Sequence, residues 1–380
     1  MNSRIGFIIF LFQFTLVSVS GQINRGGDGV FKRYFDKLLN DTNDLSAPKF
    51  MTYPTLAYSP ETRWEIGFSS LYIYSAKRDL LNRLSEVKAF TFYTLENQYG
   101  IWLDHMLYTD KNTWFFLGRA RYQSFPLLYF GIGPDSQSER ISLIDGNYSL
   151  FRERFLRAVI PSLYVGLELD YQRLSSVKYK DVTPNHQQPL VGANGSTNLG
   201  LGLGILYDNI HNALNPRKGI YSEWAFLNYN GDFGSDFNFT SYITDNRFYV
   251  PVKKNTVLAA QLYGQFTLGN APFNMLSLMG GESLMRGYYL GRYRDKNLIA
   301  GQLEYRILPF NFSKRWGASA FMAAGQVYDE SETFQFKNLL PTGGLGLRFL
   351  IFPEKDIYTR VDVAFTEEGR GIYFFIGEAF

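Results

Sequence analysis

The sequence has 380 residues, with 38 lysines and arginines against 35 aspartates and glutamates, so its net charge of +3 gives no support for nucleic-acid binding. It contains 34 phenylalanines, 27 tyrosines and no cysteine, which excludes a disulfide framework and a lipid anchor on cysteine. Two classes stay open: a large secreted all-β protein, and a transmembrane β-barrel, in which inward polar residues offset the outward apolar residues in the mean hydropathy.

The N-terminal segment has the pattern of a cleavable secretory signal. Arg4 precedes an apolar run from Ile5 to Val19, and the small residues Ser20 and Gly21 follow. We expect residues 1–21 to be removed. A retained membrane anchor is the alternative, although the run is shorter than the ~20 residues needed to span a bilayer. No later apolar stretch reaches that length.

Residues 22–49 are predicted to form a linker with a short amphipathic helix. Apolar residues at positions 30, 31, 34, 35, 38 and 39 fall on one helical face. Such a short helix is marginal alone. We therefore expect it to dock, either at the barrel rim and membrane interface or inside the barrel as a plug.

From about residue 50 the pattern changes to a period of two. Between Leu199 and Tyr207, odd positions are large and apolar and most even positions are glycine, so the odd face is predicted to contact lipid. The alternation predicts sixteen strands, an even number as in bacterial single-chain barrels. Their approximate bounds are 51–58, 63–75, 86–94, 98–108, 113–123, 147–160, 163–174, 198–208, 218–229, 239–250, 256–269, 297–308, 315–328, 343–351, 357–366 and 371–380.

The lengths of the connections favour an outer-membrane barrel. Counting backward from a C-terminus at the periplasmic face puts the longer connections, residues 124–146, 175–197, 230–238 and 270–296, on the outer side. Most connections on the other side are short, an asymmetry that a secreted sandwich has no reason to show. Residues 50–380 are therefore predicted to form a transmembrane antiparallel β-barrel.

The sixth outer loop, residues 270–296, does not have the composition of a solvated loop. It combines glycines and closely spaced cations with Tyr288, Tyr289 and Tyr293. We expect it to fold inward onto a surface of its own protein, where Arg286 at its centre needs a carboxylate partner.

Three segments carry a family resemblance. Residues 285–288 (Met-Arg-Gly-Tyr) are similar to a Val-Arg-Gly-Phe/Tyr signature of a sixth outer loop. Residues 374–380 are similar to a closing signal with a terminal aromatic residue. Residues 208–221 are similar to an Asp…Asn-Pro…Gly turn. Together they resemble the superfamily of outer-membrane barrels that includes the assembly factor BamA, its relative TamA and the two-partner secretion transporters, also called the bacterial surface antigen family.

The resemblance implies that the loop enters the lumen and that Arg286, flanked by Gly287 and Tyr288, pairs with carboxylates of the inner wall. Alternation predicts which carboxylates face inward: Asp362 is the first choice and Glu304 the second. The alternative is that Arg286 braces a plug and has no dynamic role.

One departure concerns the strand between these carboxylates. The family often has Phe-x-Asp-x-Gly there, and the matching residues are Phe321, Ala323 and Gly325. One inward carboxylate is therefore absent.

The first and last strands are predicted to meet at a weak seam. Pro54 cannot donate a ladder hydrogen bond, and Gly377 weakens the last strand, which ends at Phe380. The resemblance implies that this seam opens sideways and thins the bilayer. The alternative is that Pro54 lies just before pairing begins.

The function implied by the resemblance is outer-membrane biogenesis in a Gram-negative bacterium, by insertion or translocation of proteins or lipids through the seam. The alternative is a plugged structural barrel or a small pore. Members acting in assembly carry periplasmic POTRA domains, and only about two dozen residues precede the first strand after the signal, so a barrel-only member lacking POTRA domains is expected. Outer-membrane lipid is an expected partner and a partner protein replacing the POTRA domains is an option, in a monomer or a dimer; nucleic acid is not expected.

An enzyme is not expected. The histidines are His105, His186 and His211, and no serine or aspartate pattern accompanies His186. No metal-ligand spacing occurs and no cofactor is predicted. The alternating glycines at 200–204 precede no helix signal, which argues against a nucleotide site.

Overall fold

The computed structural model describes residues 44, 46–59, 63–95, 97–124, 126–137, 139–180, 190–330 and 334–380. The predicted signal peptide and the helix over residues 30–39 lie outside the described residues. Seventeen strands form one sheet, and two more form a separate hairpin. No described helix is long and apolar enough to cross a bilayer.

Long strands alternate with short turns and longer connections. The strands are β1 (Lys49–Ser59), β2 (Arg63–Ser75), β3 (Leu84–Thr94), β4 (Tyr99–Tyr108), β5 (Trp114–Ser124), β6 (Leu127–Tyr129), β7 (Ser142–Ile160), β8 (Leu163–Lys180), β9 (Ser196–Asp208), β10 (Gly219–Tyr229), β11 (Phe239–Lys253), β12 (Thr256–Gly269), β13 (Ser277–Met279), β14 (Tyr293–Asp295), β15 (Asn297–Ile307), β16 (Trp316–Tyr328), β17 (Leu340–Phe352), β18 (Ile357–Thr366) and β19 (Gly369–Ile376). Described 3₁₀ turns are Ala76–Arg78, Asp110–Asn112, Gly231–Phe233, Phe336–Asn338 and Pro353–Lys355.

The sheet is an antiparallel meander in which long strands that follow one another pair. It contains seventeen strands rather than the sixteen predicted, because three residues of an outer connection, Leu127–Tyr129, add to the edge of β7. Within the described ranges no ladder joins β1 to β19.

The two faces of the sheet have opposite character. Along β15 and β18, Glu304 and Asp362 are fully buried, whereas the alternating Leu303 and Val361 are 46% and 40% exposed. Exposed apolar side chains on one face and buried charges on the other are the reverse of a soluble sheet and typical of a membrane barrel. The apolar face is called outward below and the polar face inward.

Side chains of distant strands meet on the inward face, so the sheet curls around an interior. Arg83, before β3, forms an ion pair with Asp208 at the end of β9. Tyr249 of β11 contacts Phe380 beyond β19, with 6.4 Å between ring centroids. An aromatic and aliphatic cluster, including Phe380, fills the interior near the short turns.

Candidate functional site

The connection between β12 and β15 lies against the inward face. Its arms pair as the β13–β14 hairpin, and the centre of the tip between them is buried, with Met285 0%, Arg286 1% and Tyr288 2% exposed. Met285 and Tyr288 join an apolar cluster that includes Ala300 of β15 and Ala323 of β16. The tip therefore packs on the wall and is not a solvated loop.

Arg286 lies between two wall carboxylates. Its Nη1 donates to Asp362 Oδ2 at 2.6 Å and its Nη2 donates to Glu304 Oε2 at 2.5 Å, and all three side chains are fully buried. The guanidinium also lies 3.5 Å from the ring centroid of Phe321, which adds a cation–π contact. Buried, charge-assisted hydrogen bonds are the strong class of hydrogen bond.

The same carboxylates bind three more arginines. Arg348 donates to Asp362 at 2.6 Å and to Glu304 at 2.9 Å. Arg306 lies 3.1 Å from Glu304, and Arg360 lies 2.5 Å from Asp362. Each carboxylate consequently keeps two arginines in addition to Arg286.

A third carboxylate comes from the C-terminal tail. Glu378 accepts from Arg348 Nε at 2.9 Å and lies 3.5 Å from Arg306 Nε. The resulting ion cluster holds four guanidinium groups and three side-chain carboxylates, a formal side-chain charge of 4 − 3 = +1. Its members are Arg286, Glu304, Arg306, Arg348, Arg360, Asp362 and Glu378.

Strand periodicity and one glycine shape this ion cluster. Glu304 and Arg306 are two residues apart on β15, so both face inward. Gly346 of β17 pairs with Asp362, and a Cβ at Gly346 would lie 2.2 Å from Asp362 Oδ1 and 2.3 Å from Arg348 Nη1. The glycine therefore leaves the space that these two charged groups occupy.

Hydrogen bonds fasten the tip to further strands. The N–H of Gly287 donates to the Tyr373 hydroxyl on β19 at 2.8 Å. The Tyr288 hydroxyl donates to the Pro341 carbonyl of β17 at 3.1 Å. The tip consequently contacts the last strand as well as β15, β17 and β18.

The base of the loop has its own ion pair. Arg292 donates through two nitrogens to the carboxylate of Glu368, at 2.7 and 2.6 Å, and the Tyr293 hydroxyl donates to the same carboxylate at 2.6 Å. Glu368 lies in the turn between β18 and β19. Both the tip and the base of the loop thus contact the end of the sheet.

Two neighbouring groups at the loop base are buried without an ion pair in the described part of the chain. Arg294 donates to the carbonyls of Leu128 and Gly291, both at 3.2 Å, and burial lowers its pKa to about 10. Asp295 accepts from the Lys296 N–H at 2.8 Å, and burial raises its pKa to about 6. The base therefore carries two ionisable groups whose charged forms are destabilised.

The tail leaves the sheet at Gly377. Its φ of +89° lies in the region that favours glycine. The Glu378 N–H then donates to the Leu214 carbonyl at 2.8 Å, and Arg306 Nη2 donates to the main-chain oxygen of Phe380 at 3.0 Å. The tail is thereby held inside the sheet.

This placement corrects the predicted last strand. The strand was expected over residues 371–380, with Phe380 at its end beside the seam, but β19 ends at Ile376. Phe380 is 3% exposed and lies in the interior. The physical reason is the bend at Gly377 together with the attraction of Glu378 to buried arginines.

At the other proposed seam residue, Pro54 lies within β1 opposite Phe68 of β2. Pairing with β2 starts at Lys49, so Pro54 lies inside that ladder, and its place in a ladder between β1 and β19 stays a prediction.

The connection between β9 and β10 reaches across the end with the short turns. Asn215 donates to the Asp356 carbonyl at 2.8 Å, and Arg217 Nη2 donates to Asp356 Oδ1 at 2.7 Å. Arg217 Nη1 also donates to the Leu308 carbonyl at 2.8 Å. The segment with the Asp…Asn-Pro…Gly pattern therefore ties three connections together.

The structure brings no catalytic arrangement together in its described part. His105 is 3.0 Å from Glu153 on the outward face, and His211 is exposed. His186 lies outside the described residues. No group of three or more potential metal ligands occurs within the described ranges.

Sequence reasoning missed the roles of Glu368, Glu378 and the inward arginines Arg306, Arg348 and Arg360. Alternation places the arginines inward, but it does not show how many carboxylates they share. The sequence carried one signal of these roles, an excess of inward arginines over inward carboxylates, because several inward arginines faced only Glu304 and Asp362.

Comparison with known proteins places this geometry in a family. A model described as the Omp85 superfamily domain matches residues 105–380. No curated protein matches the chain. Among solved structures, BamA from Haemophilus ducreyi lacking POTRA domains 1–3 is similar at 14% identity and a TM-score of 0.54, over 87% of this chain and 69% of that one.

CdiB from Acinetobacter baumannii is similar at 11% identity and a TM-score of 0.54, over 87% of this chain and 59% of that one. This chain therefore spans about three fifths of CdiB. At these identities the likeness establishes the fold alone.

Proposed function

This chain belongs to the Omp85 superfamily, and we propose that it acts in the outer membrane of a Gram-negative bacterium, helping other proteins or lipids to insert into or cross that membrane. The proposed barrel is the observed sheet closed between β1 and β19, with sixteen long strands as its wall. Its outward apolar face contacts acyl chains and its inward charges surround the loop.

One observation carries this proposal: a single ion cluster holds both the loop tip, through Arg286, and the C-terminal tail, through Glu378. The two are linked because Glu304 binds Arg286 as well as the arginines that bind Glu378. Release of the loop therefore weakens the hold on the tail, and release of the tail weakens the hold on the loop.

The tail position bears directly on the seam. Because residues 377–380 turn inward, β19 has eight residues against eleven in β1. Pairing of these edges leaves at least three β1 residues without a partner, and Pro54 removes one donor. We infer that the seam is the weakest joint of the wall and that an incoming strand pairs with its free backbone groups.

A cysteine pair tests the seam, since the chain contains no cysteine of its own. Pro54 and Ile376 are both on the outward side of their strands by alternation with Phe68 and Phe374. With Pro54→Cys and Ile376→Cys combined, oxidation is expected to abolish complementation of a deletion strain, and reductant to restore it. Each single cysteine serves as the control. Full complementation by the crosslinked protein would rule out a mechanism that opens the seam.

A plugged structural barrel or small pore is the second candidate. It is favoured by the β9–β10 connection, which binds Asp356 and the tail. This connection therefore covers the end of the proposed barrel that carries the short turns. Planar-bilayer recording distinguishes the two. A pore predicts conductance steps once residues 23–46 are deleted and the loop is shortened, whereas the seam mechanism requires none.

No catalytic step or cofactor is part of the proposal. Its partners are outer-membrane lipid and, as an option, a periplasmic or outer-membrane protein, with the chain as a monomer or a dimer. Co-purification in mild detergent followed by mass spectrometry identifies such a protein.

A further inference from the structure

The outward face of β5, β7 and β8 contains a groove with a volume of about 510 Å³. It lies on the wall, remote in sequence from the loop, the tail and the proposed seam. The side chains used below are Trp114, Phe116, Phe155, Arg157, Val165 and Leu167, all of which line it.

Strand register arranges the lining in two rows. Trp114 is opposite Arg157, which is opposite Val165, and the next outward row is Phe116, Phe155 and Leu167. The rings of Phe116 and Phe155 meet edge to face, with centroids 6.0 Å apart. Leu167 is 62% exposed, so the groove is open toward the side on which acyl chains lie.

Arg157 is the cation of the groove. It is exposed, and its guanidinium lies 5.7 Å from the ring centroid of Trp114. Within the described part of the chain it forms no hydrogen bond and no ion pair. Glu153, four residues before Arg157 on β7, contacts His105 at 3.0 Å.

A cation on a lipid-facing wall is costly unless its charge reaches a polar group. Trp114 is the first residue of β5, and Arg157 lies three positions before Ile160, the end of β7. Both are therefore at the strand ends next to the short turns. Tryptophan is enriched at that depth, and an arginine there extends toward the headgroups.

We propose that this groove binds one glycerophospholipid of the periplasmic leaflet, with its phosphate on Arg157 and an acyl chain along Phe116, Phe155 and Leu167. The charge of Arg157 complements the phosphate, and arginine is suited to bidentate phosphate binding. The inference rests on the barrel's crossing a membrane, as in the proposed function, but not on any opening of the seam.

Native mass spectrometry of the full mature protein tests the site, with 1-palmitoyl-2-oleoyl phosphatidylglycerol added in mild detergent. The wild type is expected to retain one lipid at low lipid ratios. Arg157→Gln is expected to weaken binding about tenfold, since one charge-assisted contact is lost. Leu167→Trp fills the groove, keeps the cation and is expected to reduce binding as well.

The matched control is Arg173→Gln. Arg173 is exposed on the outward face of β8, opposite Ser149 and toward the other end of the strand. It is expected to bind lipid as the wild type does. Heat-modifiable electrophoretic mobility identifies folded protein for each variant, and either groove variant alone suffices for the test.

Three outcomes would overturn the proposal. The first is unchanged lipid retention in folded Arg157→Gln or Leu167→Trp. The second is an equal loss in Arg173→Gln, which would indicate general attraction of lipid to surface charge. The third is a lipid-free dimer that Leu167→Trp dissociates, which would assign the groove to a second copy of this chain. None of these depends on the seam, so crosslinking of the seam and lipid binding fail or succeed separately.

Discussion

Replacing Arg286 by alanine is expected to cost less stability than replacing its partner Asp362. The side chains of the ion cluster have a formal charge of +1, so removal of Arg286 leaves three arginines and three side-chain carboxylates. Glu304 keeps Arg306 and Arg348, and no carboxylate is left unpaired. The loss is then that of two charge-assisted hydrogen bonds, to Asp362 and Glu304, and of the contact with an aromatic ring, about 2–3 kcal/mol because each carboxylate keeps two other arginines.

Replacing Asp362 by alanine has the opposite effect on the charge balance. Four arginines then face two side-chain carboxylates, a formal side-chain charge of 4 − 2 = +2 in a buried site. Arg360 loses its only carboxylate in the described structure and keeps the Glu282 carbonyl. Leaving a buried charge without its partner costs about 3–5 kcal/mol.

Reversible urea unfolding in lipid vesicles, followed by tryptophan fluorescence, measures both free energies of unfolding. The double variant Arg286→Ala with Asp362→Ala has a charge balance of 3 − 2 = +1 and serves as the matched control; we expect it to be more stable than Asp362→Ala alone. The charge-balance reasoning is refuted if Arg286→Ala costs as much as Asp362→Ala, or if the double variant is the least stable of the three.

Three further predictions concern single side chains. Gly346→Ala is expected to lower the midpoint of urea unfolding, because its Cβ would lie 2.2 Å from Asp362 Oδ1; Gly343→Ala is the control, since its nearest atom is 3.3 Å away. The raised pKa of Asp295, about 6 against an ordinary 3.8, gives a stability contribution that is complete below about pH 4 and is lost as the pH rises through 6. Proteolysis of the loop should therefore be slower at about pH 5 than at about pH 7.5, and Asp295→Asn should remove that difference. An equal pH dependence of the proteolysis rate in the wild type and in Asp295→Asn would contradict this prediction. Arg294→Met is expected to raise the unfolding midpoint, because an apolar side chain replaces a buried cation that has no carboxylate partner among the described residues; a lower midpoint would show that its carbonyl contacts matter more.

The strands were predictable because side chains of a barrel wall alternate between lipid and lumen with a period of two. Each predicted segment overlaps a strand, as 163–174 does with β8. β6 was not predictable, since three residues in an outer connection carry too little alternation to be distinguished from a loop.

The family resemblance implied that Arg286 pairs with carboxylates of the wall, and the same periodicity, which puts Asp362 and Glu304 on the inward face, identified them. The tail did not. The run that ends in Phe374, Phe375 and Ile376 is typical of a strand, and its bend at Gly377 depends on arginines that are distant in the sequence. Only the spatial arrangement shows that Glu378 is the third carboxylate of the cluster.

Hydrogen exchange in nanodiscs tests most directly the claim that one ion cluster holds both the loop and the tail. Glu378→Gln removes the tail carboxylate, and we expect faster amide exchange both in residues 377–380 and in residues 281–291 of the loop. Faster exchange in the tail with an unchanged loop would contradict the coupling on which the proposed function depends.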